Sequence, residues 1–348
     1  MKPSPVPIDP APPVEFSIVM PAFNAAATIG IALESLLAQE HKAFEVLVID
    51  DCSQDATTEI VRNYAERDPR VRIFAQSNNS GASASANAGV RASKNEWIAR
   101  VDADAVFFPD WLKRAAVLVV EAHRSHYEVF GGGCDYFQPT NHFERIALAF
   151  EADDTADRAE TFGPDNAREP TIRGTNFFFT RGCFDKVGGF SEEVRAAEDR
   201  LFLCNAIERG CRVRFEPTLR VGHPLPGSRV GEFLRRKNAI ERWRLVAAER
   251  SPILRQGYRP IWPVVVAAFA FSVATLWWLG PVKAAIAMVM AAVVIVGVFT
   301  AKGLRRGLPV ALALLYAAIN IWKKICTIAI YVLGLRPVGR DWKQRSYA

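Results

Sequence analysis

Short apolar runs alternate with helical patterns along the first hundred positions of this chain. Phe16 to Met20 reads as a buried strand, and Pro21-Ala22-Phe23-Asn24 turns the chain. Ala25 to Gln39 carries Ile29, Leu33, Leu36 and Leu37 on one side, at helical spacing. Phe44 to Ile49 predicts a second strand, Thr57 to Arg67 a helix, and Val71 to Phe74 a third strand. Asn78 to Gly81 turn into a helix over Ala82 to Arg91, and a fourth strand ends at Asp102. Repeated strand–helix alternation of this kind predicts an α/β layer with a mostly parallel sheet flanked by helices. Ligands of such sheets sit beyond the carboxyl ends of the strands. Three polar clusters fall there: 21–24, 50–55 and 102–104. No repeat of solenoid period is visible.

The pattern changes towards the C-terminus. Ile261 to Gly280 carries no charge, and neither does Ala284 to Ala301; only Pro281-Val282-Lys283 separates them. Each approaches the roughly 20 residues that cross a bilayer core, so 261–301 predicts a transmembrane hairpin. The apolar stretch 308–335 contains Lys323-Lys324. Paired ammonium groups are costly at mid-bilayer, which leaves a third span and a re-entrant or interfacial helix both open. Residues 229–260 hold nine Lys and Arg against three acids, interspersed with Phe233, Leu234, Trp243, Leu245 and Val246. That composition predicts a basic amphipathic helix lying on the membrane surface; a solvated basic face is the plainer alternative. Residues 1–13 are Pro-rich without an apolar signal core and read as a flexible lead-in. The remainder, 14–228, is the expected globular domain, and 336–348 is a basic tail.

Charge sharpens this division. Residues 1–228 hold 24 Lys and Arg against 33 Asp and Glu, a net of −9, whereas 229–348 hold 19 against 4, a net of +15. A basic region beside membrane spans points to anionic lipid rather than nucleic acid. The basic loop Lys302 to Arg306 is expected on the cytoplasmic side, which puts the 14–228 domain at the cytoplasmic face of an inner membrane. Six cysteines form no C-x-x-C and no Cys/His cluster, so reduced thiols are expected and zinc is not.

Two clusters carry chemistry on their own residues. In Asp102-Ala103-Asp104 the carboxylates are two apart, so an extended backbone points both to one side. A hard divalent cation takes such oxygens and completes its shell with water and phosphate; an exposed acidic turn is the plain alternative. The run Asp50-Asp51-Cys52-Ser53-Gln54-Asp55-Ala56-Thr57 also follows a strand. A carboxylate there can accept from an imide N–H or a ribose hydroxyl, or cap the next helix. We read Asp55 as capping and Asp51 as binding.

These motifs together resemble family 2 glycosyltransferases of GT-A (Rossmann-like) fold. The resemblance rests on Ser17-Ile18-Val19-Met20-Pro21-Ala22-Phe23-Asn24, the Asp50–Thr57 run, Asn79-Ser80-Gly81-Ala82-Ser83 with Asn87 and Gly89, and Asp-x-Asp, in that order over about 15–215. It implies that Ala22 and Phe23, with Pro21 and Asn24, line a nucleobase pocket and that Asp51 bonds the base's imide edge, as with uracil. It implies that Asp102 meets ribose or metal-bound water and that Asp104 ligates Mg2+ or Mn2+ on the diphosphate. Ser83 and Asn87 begin a helix beside that site, where anionic substrate groups are favoured; capping is the alternative. The family places its general base at a Glu-Asp pair after a Gly-Gly-Phe element. Gly188-Gly189-Phe190 followed by Glu198-Asp199 stands in that place, which makes Asp199 the base and Glu198 an acceptor contact. Acidic residues in a helix's first turn are also favoured by the dipole alone. Gly174, Thr175 and Asn176 resemble the segment lining the sugar and acceptor pocket, or else form a turn into the strand Phe177 to Phe179. His223 resembles a histidine that some relatives hold near the metal, although a lone His is commonly structural. Arg242-Trp243 partly matches the Gln-x-x-Arg-Trp element of processive relatives, but Ala239 stands at the Gln position, which argues against processive synthesis.

The expected function is a membrane-anchored inverting glycosyltransferase. It would move a sugar from a nucleotide-sugar donor, with a UDP-sugar favoured, to a polyprenyl-linked or other membrane-held envelope glycan. A non-catalytic membrane assembly partner retaining the fold is the alternative. A nicotinamide oxidoreductase is disfavoured because Pro-Ala-Phe-Asn, not a G-x-G-x-x-G turn, follows the first strand.

Overall fold

The structure is a computed structural model, and it describes residues 14–151, 158–225, 230–256, 293, 295–306 and 308–333. The four predicted strands are present as β1 (Phe16–Ala22), β2 (Phe44–Asp50), β3 (Val71–Ala75) and β4 (Trp97–Arg100). All three pairings among them are parallel, with Phe16 opposite both Phe44 and Trp97, and Val46 opposite Val71. The crossovers are α1 (Ile29–Leu37), α2 (Thr57–Arg67) and α3 (Ala82–Ala92). α1 starts four residues later than its apolar period suggests. The Ala25 and Ala26 N–H groups donate to Thr57 Oγ1 and the Asp55 carboxylate, which holds that stretch as a turn.

Beyond Asp104 the chain continues as β5 (Val106–Phe107), α4 (Trp111–Ser125), β6 (Val129–Tyr136), α5 (His142–Glu151) and β7 (Glu160–Phe162). It then runs through β8 (Phe177–Thr180), α6 (Arg181–Val187), α7 (Glu198–Glu208) and β9 (Val213–His223). The strand order is β3-β2-β1-β4-β8-β6-β9-β5, with β7 paired to β9. The expectation of a mostly parallel sheet is corrected here: the sheet is mixed. β8 runs antiparallel to both β4 and β6, and β9 runs antiparallel to β5 and β7. β8 is entered from the irregular stretch after β7 and runs against both of its neighbours.

Strand alternation sorts the apolar side chains onto two faces. Phe16, Ile18 and Met20 pack in one core with α1 and α4, through Leu33, Leu36, Trp111 and Leu112. Val19 points the other way, into a core shared with α3, α6 and α7. Phe177, Phe179, Phe184, Phe190 and Phe202 crowd together there, with the Phe190 and Phe202 rings stacked 4.5 Å apart. Each fully buried ring of this kind contributes about 1.5–3 kcal/mol.

The basic segment forms α8 (Val230–Arg250) and α9 (Pro252–Gln256). Two of the apolar side chains expected at a membrane surface pack within the protein. Trp243 is buried with Ala247, Ile253 and Leu254 against the α7 core, and Phe233 against Ile146 and Tyr316. Their apolar area is covered by protein. The stretch predicted at 308–335 contains α10 (Val310–Leu333), whose Ala313, Tyr316 and Ile319 pack with Ile146 and Ala147 of α5. The first predicted span, most of the second, the lead-in 1–13 and the tail 336–348 lie outside the described residues. Among the described residues no helix is long and apolar enough to cross a membrane.

Gly89 is where α3 comes closest to the sheet, since a Cβ there would overlap Val19 and crowd Ile49. Gly89→Ala is therefore expected to cost about 1–3 kcal/mol through overpacking, measured as a lower urea midpoint with an unchanged slope.

Candidate active site

β1 lies between β2 and β4, so the carboxyl ends of all three line one edge of the sheet. The loops leaving β1 and β2 are laced together. The Asn24 N–H donates to Ser53 Oγ (2.9 Å), and the Gln54 N–H donates to Asn24 Oδ1 (2.8 Å). Asp55 receives the Thr57 N–H (3.0 Å) and the Ala26 N–H (3.0 Å) just ahead of α2, whose N-cap is Ala56 rather than the expected Asp55. Burial opposes the Asp55 charge, but these bonds outweigh it and hold the carboxyl below its usual range. Asn24 and Cys52 both take left-handed backbone, with φ of 49° and 65°. Such strain persists only where surrounding bonds impose it. Pro21 lies within β1 opposite Ile49, the buried Ala22 closes the strand opposite Asp50, and Phe23 is half-buried.

Asp51 is 4% exposed, and its two oxygens accept from the Ser80 N–H (2.7 Å) and the Gly81 N–H (2.8 Å). The carboxylate expected to meet a nucleobase thus also anchors the loop that opens α3. Ser83, in the first turn of α3, is buried, and its Oγ has no hydrogen-bond partner among the described residues. Asn87 is placed differently from its expected substrate role. It is buried, its amide donates to Phe190 O and Glu192 Oε1, and it accepts the Phe190 N–H. It therefore clamps α3 to the Gly-Gly-Phe turn.

The acidic centre forms where β4 ends. Val101 still donates to Val19 O, but the Asp102 N–H turns to Thr175 Oγ1 (3.2 Å). Four residues on, Val106 pairs with Gly222, which brings Asp104 alongside His223 from the end of β9. His223 Nε2 lies 3.3 Å from Asp104 Oδ1, while Nδ1 is 2.8 Å from Pro224 O. Nδ1–H donating to that carbonyl leaves Nε2 as the atom facing the carboxylate. Burial pushes the imidazolium down, but the Asp104 and Asp102 carboxylates outweigh it and lift His223 to about 8. One ligand atom each from Asp102, Asp104 and His223 lies within 4.8 Å of the others. Two carboxylates and an imidazole oriented by a backbone carbonyl are a donor set that fits Mg2+ or Mn2+.

Arg100, in β4, faces this centre with its side chain only 7% exposed. Its Nη1 lies 2.7 Å from Asp102 Oδ1 and donates to Gly174 O (2.8 Å), and its Nη2 lies 3.4 Å from Glu198 Oε1. Glu198 and Asp199 open α7, behind Ala197 in left-handed backbone with φ 65°. Asp199 packs against Gly174 so closely that a Cβ on Gly174 would overlap its carboxylate. No hydrogen bond or ion pair is made by the Asp199 carboxylate among the described residues. Arg200, the next residue, pairs with Glu169, which also meets Arg244 of α8.

The structure therefore gathers Asp102, Asp104, His223, Glu198, Asp199 and Gly174. It separates Asn176 from the pocket. That residue is fully buried, donates to Gly133 O and Leu219 O, and accepts from Trp111 Nε1 (2.9 Å). Thr175 is buried as well and holds the Asp102 backbone. Sequence reasoning missed Arg100, although a lone guanidinium in the otherwise apolar run Trp97-Ile98-Ala99-Arg100-Val101 was its visible signal.

Residues 17–188 match the family model for glycosyl transferase family 2, so the chain carries a glycosyltransferase domain of that family. The succinoglycan biosynthesis protein ExoO of Rhizobium meliloti (strain 1021) is 47% identical over 111 residues, 32% of this chain and 31% of that protein. The uncharacterized glycosyltransferase EpsJ of Bacillus subtilis (strain 168) is 28% identical over 202 residues, 57% of each chain. This chain thus spans well under two thirds of either relative. Among solved structures, the mannosyltransferase PcManGT from Pyrobaculum calidifontis, in complex with GDP-Man and Mn2+, superposes with a TM-score of 0.61 at 21% identity. That match covers 91% of this chain and 89% of that one. S. aureus TarS 1-349 in complex with UDP-GlcNAc gives 0.52 at 20% identity, with 92% of each covered. At such identities the likeness shows the GT-A-like fold.

The anchoring of the Ser80–Gly81 loop by Asp51 is open to test. Asp51→Asn replaces one accepting oxygen with an amide donor facing a backbone N–H. It is expected to lower stability by about 2–3 kcal/mol, read by urea unfolding.

Proposed function

We propose that the protein is an inverting glycosyltransferase. It transfers a sugar from a nucleotide-sugar donor, with UDP-sugars favoured, to a lipid-linked or envelope-glycan acceptor. The observation that carries this reading is the Asp102–Asp104–His223 cluster standing beside Asp199, on a domain matched to glycosyltransferase family 2.

Asp104 and His223, with Asp102, would hold the divalent cation, which when bound offsets the charge of the diphosphate as it departs. The loops 21–24 and 51–55 and the start of α3 would cradle the nucleotide, with the buried Ser83 Oγ as a further donor to it. Asp199 acts as general base. It takes the proton of the acceptor hydroxyl as that oxygen bonds to the anomeric carbon, and the carbon–oxygen bond to the diphosphate breaks on the opposite face. A single base on one side of the sugar gives inversion. A carboxylate free of hydrogen bonds among the described residues, packed on Gly174, suits a proton acceptor.

The acceptor class rests on sequence. The uncharged runs at 261–301 and the basic balance of 229–348 support a chain held at the cytoplasmic face of the inner membrane, where a polyprenyl-linked glycan is within reach. The resemblance to a succinoglycan biosynthesis protein favours an envelope or exported polysaccharide as the product.

Release of UDP from a panel of UDP-sugars, with Mn2+ present or chelated, tests the assignment. Asp104→Ala and Asp199→Asn are each expected to lose about 10²–10⁴-fold in kcat, and full activity in either variant would overturn it. Gly174→Ala is expected to displace Asp199 and lower kcat about a hundredfold, with donor KM nearly unchanged. Thermal stabilisation by GDP-sugars but not UDP-sugars would reject the uridine donor.

A further inference from the structure

Arg100 is a buried guanidinium that no step of the proposed reaction uses. It reaches three separate segments: Asp102 at the exit of β4, the Gly174 carbonyl before β8, and Glu198 at the start of α7. One carboxylate partner would suffice to compensate a buried cation, yet this one is shared. Burial opposes its charge, and Asp102, Glu198, Asp199 and Asp104, in that order, restore it. Two of these segments carry the two halves of the proposed chemistry: the exit of β4 holds Asp102 and Asp104, and the start of α7 holds the base.

We propose that Arg100 is a positioning residue that fixes the divalent-cation site against the Glu198–Asp199 turn. This rests on the reading of the site given above. The bond from Arg100 to an Asp102 oxygen fixes the orientation of a carboxylate that belongs to the Asp102–Asp104–His223 cluster, so the guanidinium sets how that carboxylate is presented to the cation. Bonding Glu198 and Gly174 with the same side chain fixes Asp199, whose carboxylate lies on Gly174. The planar fork is what permits this. An ammonium at the same place keeps the charge but offers one nitrogen where the three acceptors use two.

The test uses the full chain with Arg100→Lys. Mn2+ is titrated in the presence of UDP, and free ion is read by EPR against a protein-free UDP blank. Because partners behind metal ligands govern affinity by about 10–100-fold, a Mn2+ dissociation constant about tenfold weaker than wild type is expected. At saturating Mn2+, kcat is expected to fall at least tenfold with donor KM within a factor of two. A folded Arg100→Lys protein with wild-type Mn2+ affinity and kcat would overturn the proposal.

Should Arg100→Lys not fold, the neutral pair Arg100→Met/Glu198→Gln removes the buried charge with its partner and is compared with Glu198→Gln alone. Here kcat is expected at least tenfold below that of the single variant, because Asp102 is still unheld. Equal kcat would mean that Arg100 only neutralises Glu198, which overturns the positioning role. Failure of the underlying site is separable. Wild type that binds no Mn2+, or Asp104→Ala that binds it as wild type does, breaks the cation site itself rather than the role of Arg100.

Discussion

The antiparallel pairing of β4 with β8 positions Asp102 and the glycine surface on which Asp199 lies. Arg100 stands opposite Phe177, so the residues just before β8 run alongside those just after β4. That register gives Thr175 the Asp102 N–H, places the Gly174 carbonyl on Arg100, and leaves a side-chain-free surface for Asp199. The seam is held from below by Asn176, whose amide bridges Gly133 and Leu219 while Trp111 donates to it. A buried amide with these partners tolerates no slip, because any shift strands polar atoms away from water at about 1–3 kcal/mol each.

Charge imposes the second constraint. Asp102, Asp104, Glu198 and Asp199 lie near one buried arginine and one histidine. Two like charges about 4 Å apart repel by about 4 kcal/mol at an effective dielectric of 20. Such a group stays together only with cations among its members. Arg100 supplies one permanently, and His223 accepts a proton readily because Asp104 faces it. A divalent ion at Asp102, Asp104 and His223 satisfies the same demand, which is why the arrangement reads as a seat for one. Stability and chemistry are tied to the same charges here, so variants at the centre need a folding measurement beside a kinetic one.

Much of this was legible in the residues. β1 to β4 and their helices follow from apolar periodicity, because a buried strand and an amphipathic helix have different repeats. The strand at Phe177–Phe179 was visible too, but its direction was not, since nothing in three phenylalanines distinguishes antiparallel entry from a crossover. Asp102, Asp104 and Asp199 were singled out by their order among the family's motifs, because an acidic turn or a helix's first turn accounts for a lone carboxylate equally well. Asn87 and Asn176 show the limit: a short amide suits both a ligand pocket and a satisfied core position, and only the packing around it decides. Phe233 and Trp243 carry a related ambiguity. An aromatic stripe beside basic residues fits a bilayer and a neighbouring helix equally well, and here α7, α9 and α10 supply the cover.

The most direct test of the cation site and its role is anomalous diffraction from crystals soaked with Mn2+ and UDP. The expected result is one manganese peak bonded to Asp104 and His223, with the diphosphate on its open side and the uracil near Phe23 and Asp51. A manganese peak away from Asp104 and His223, or UDP bound elsewhere than the carboxyl ends of β1, β2 and β4, would contradict it.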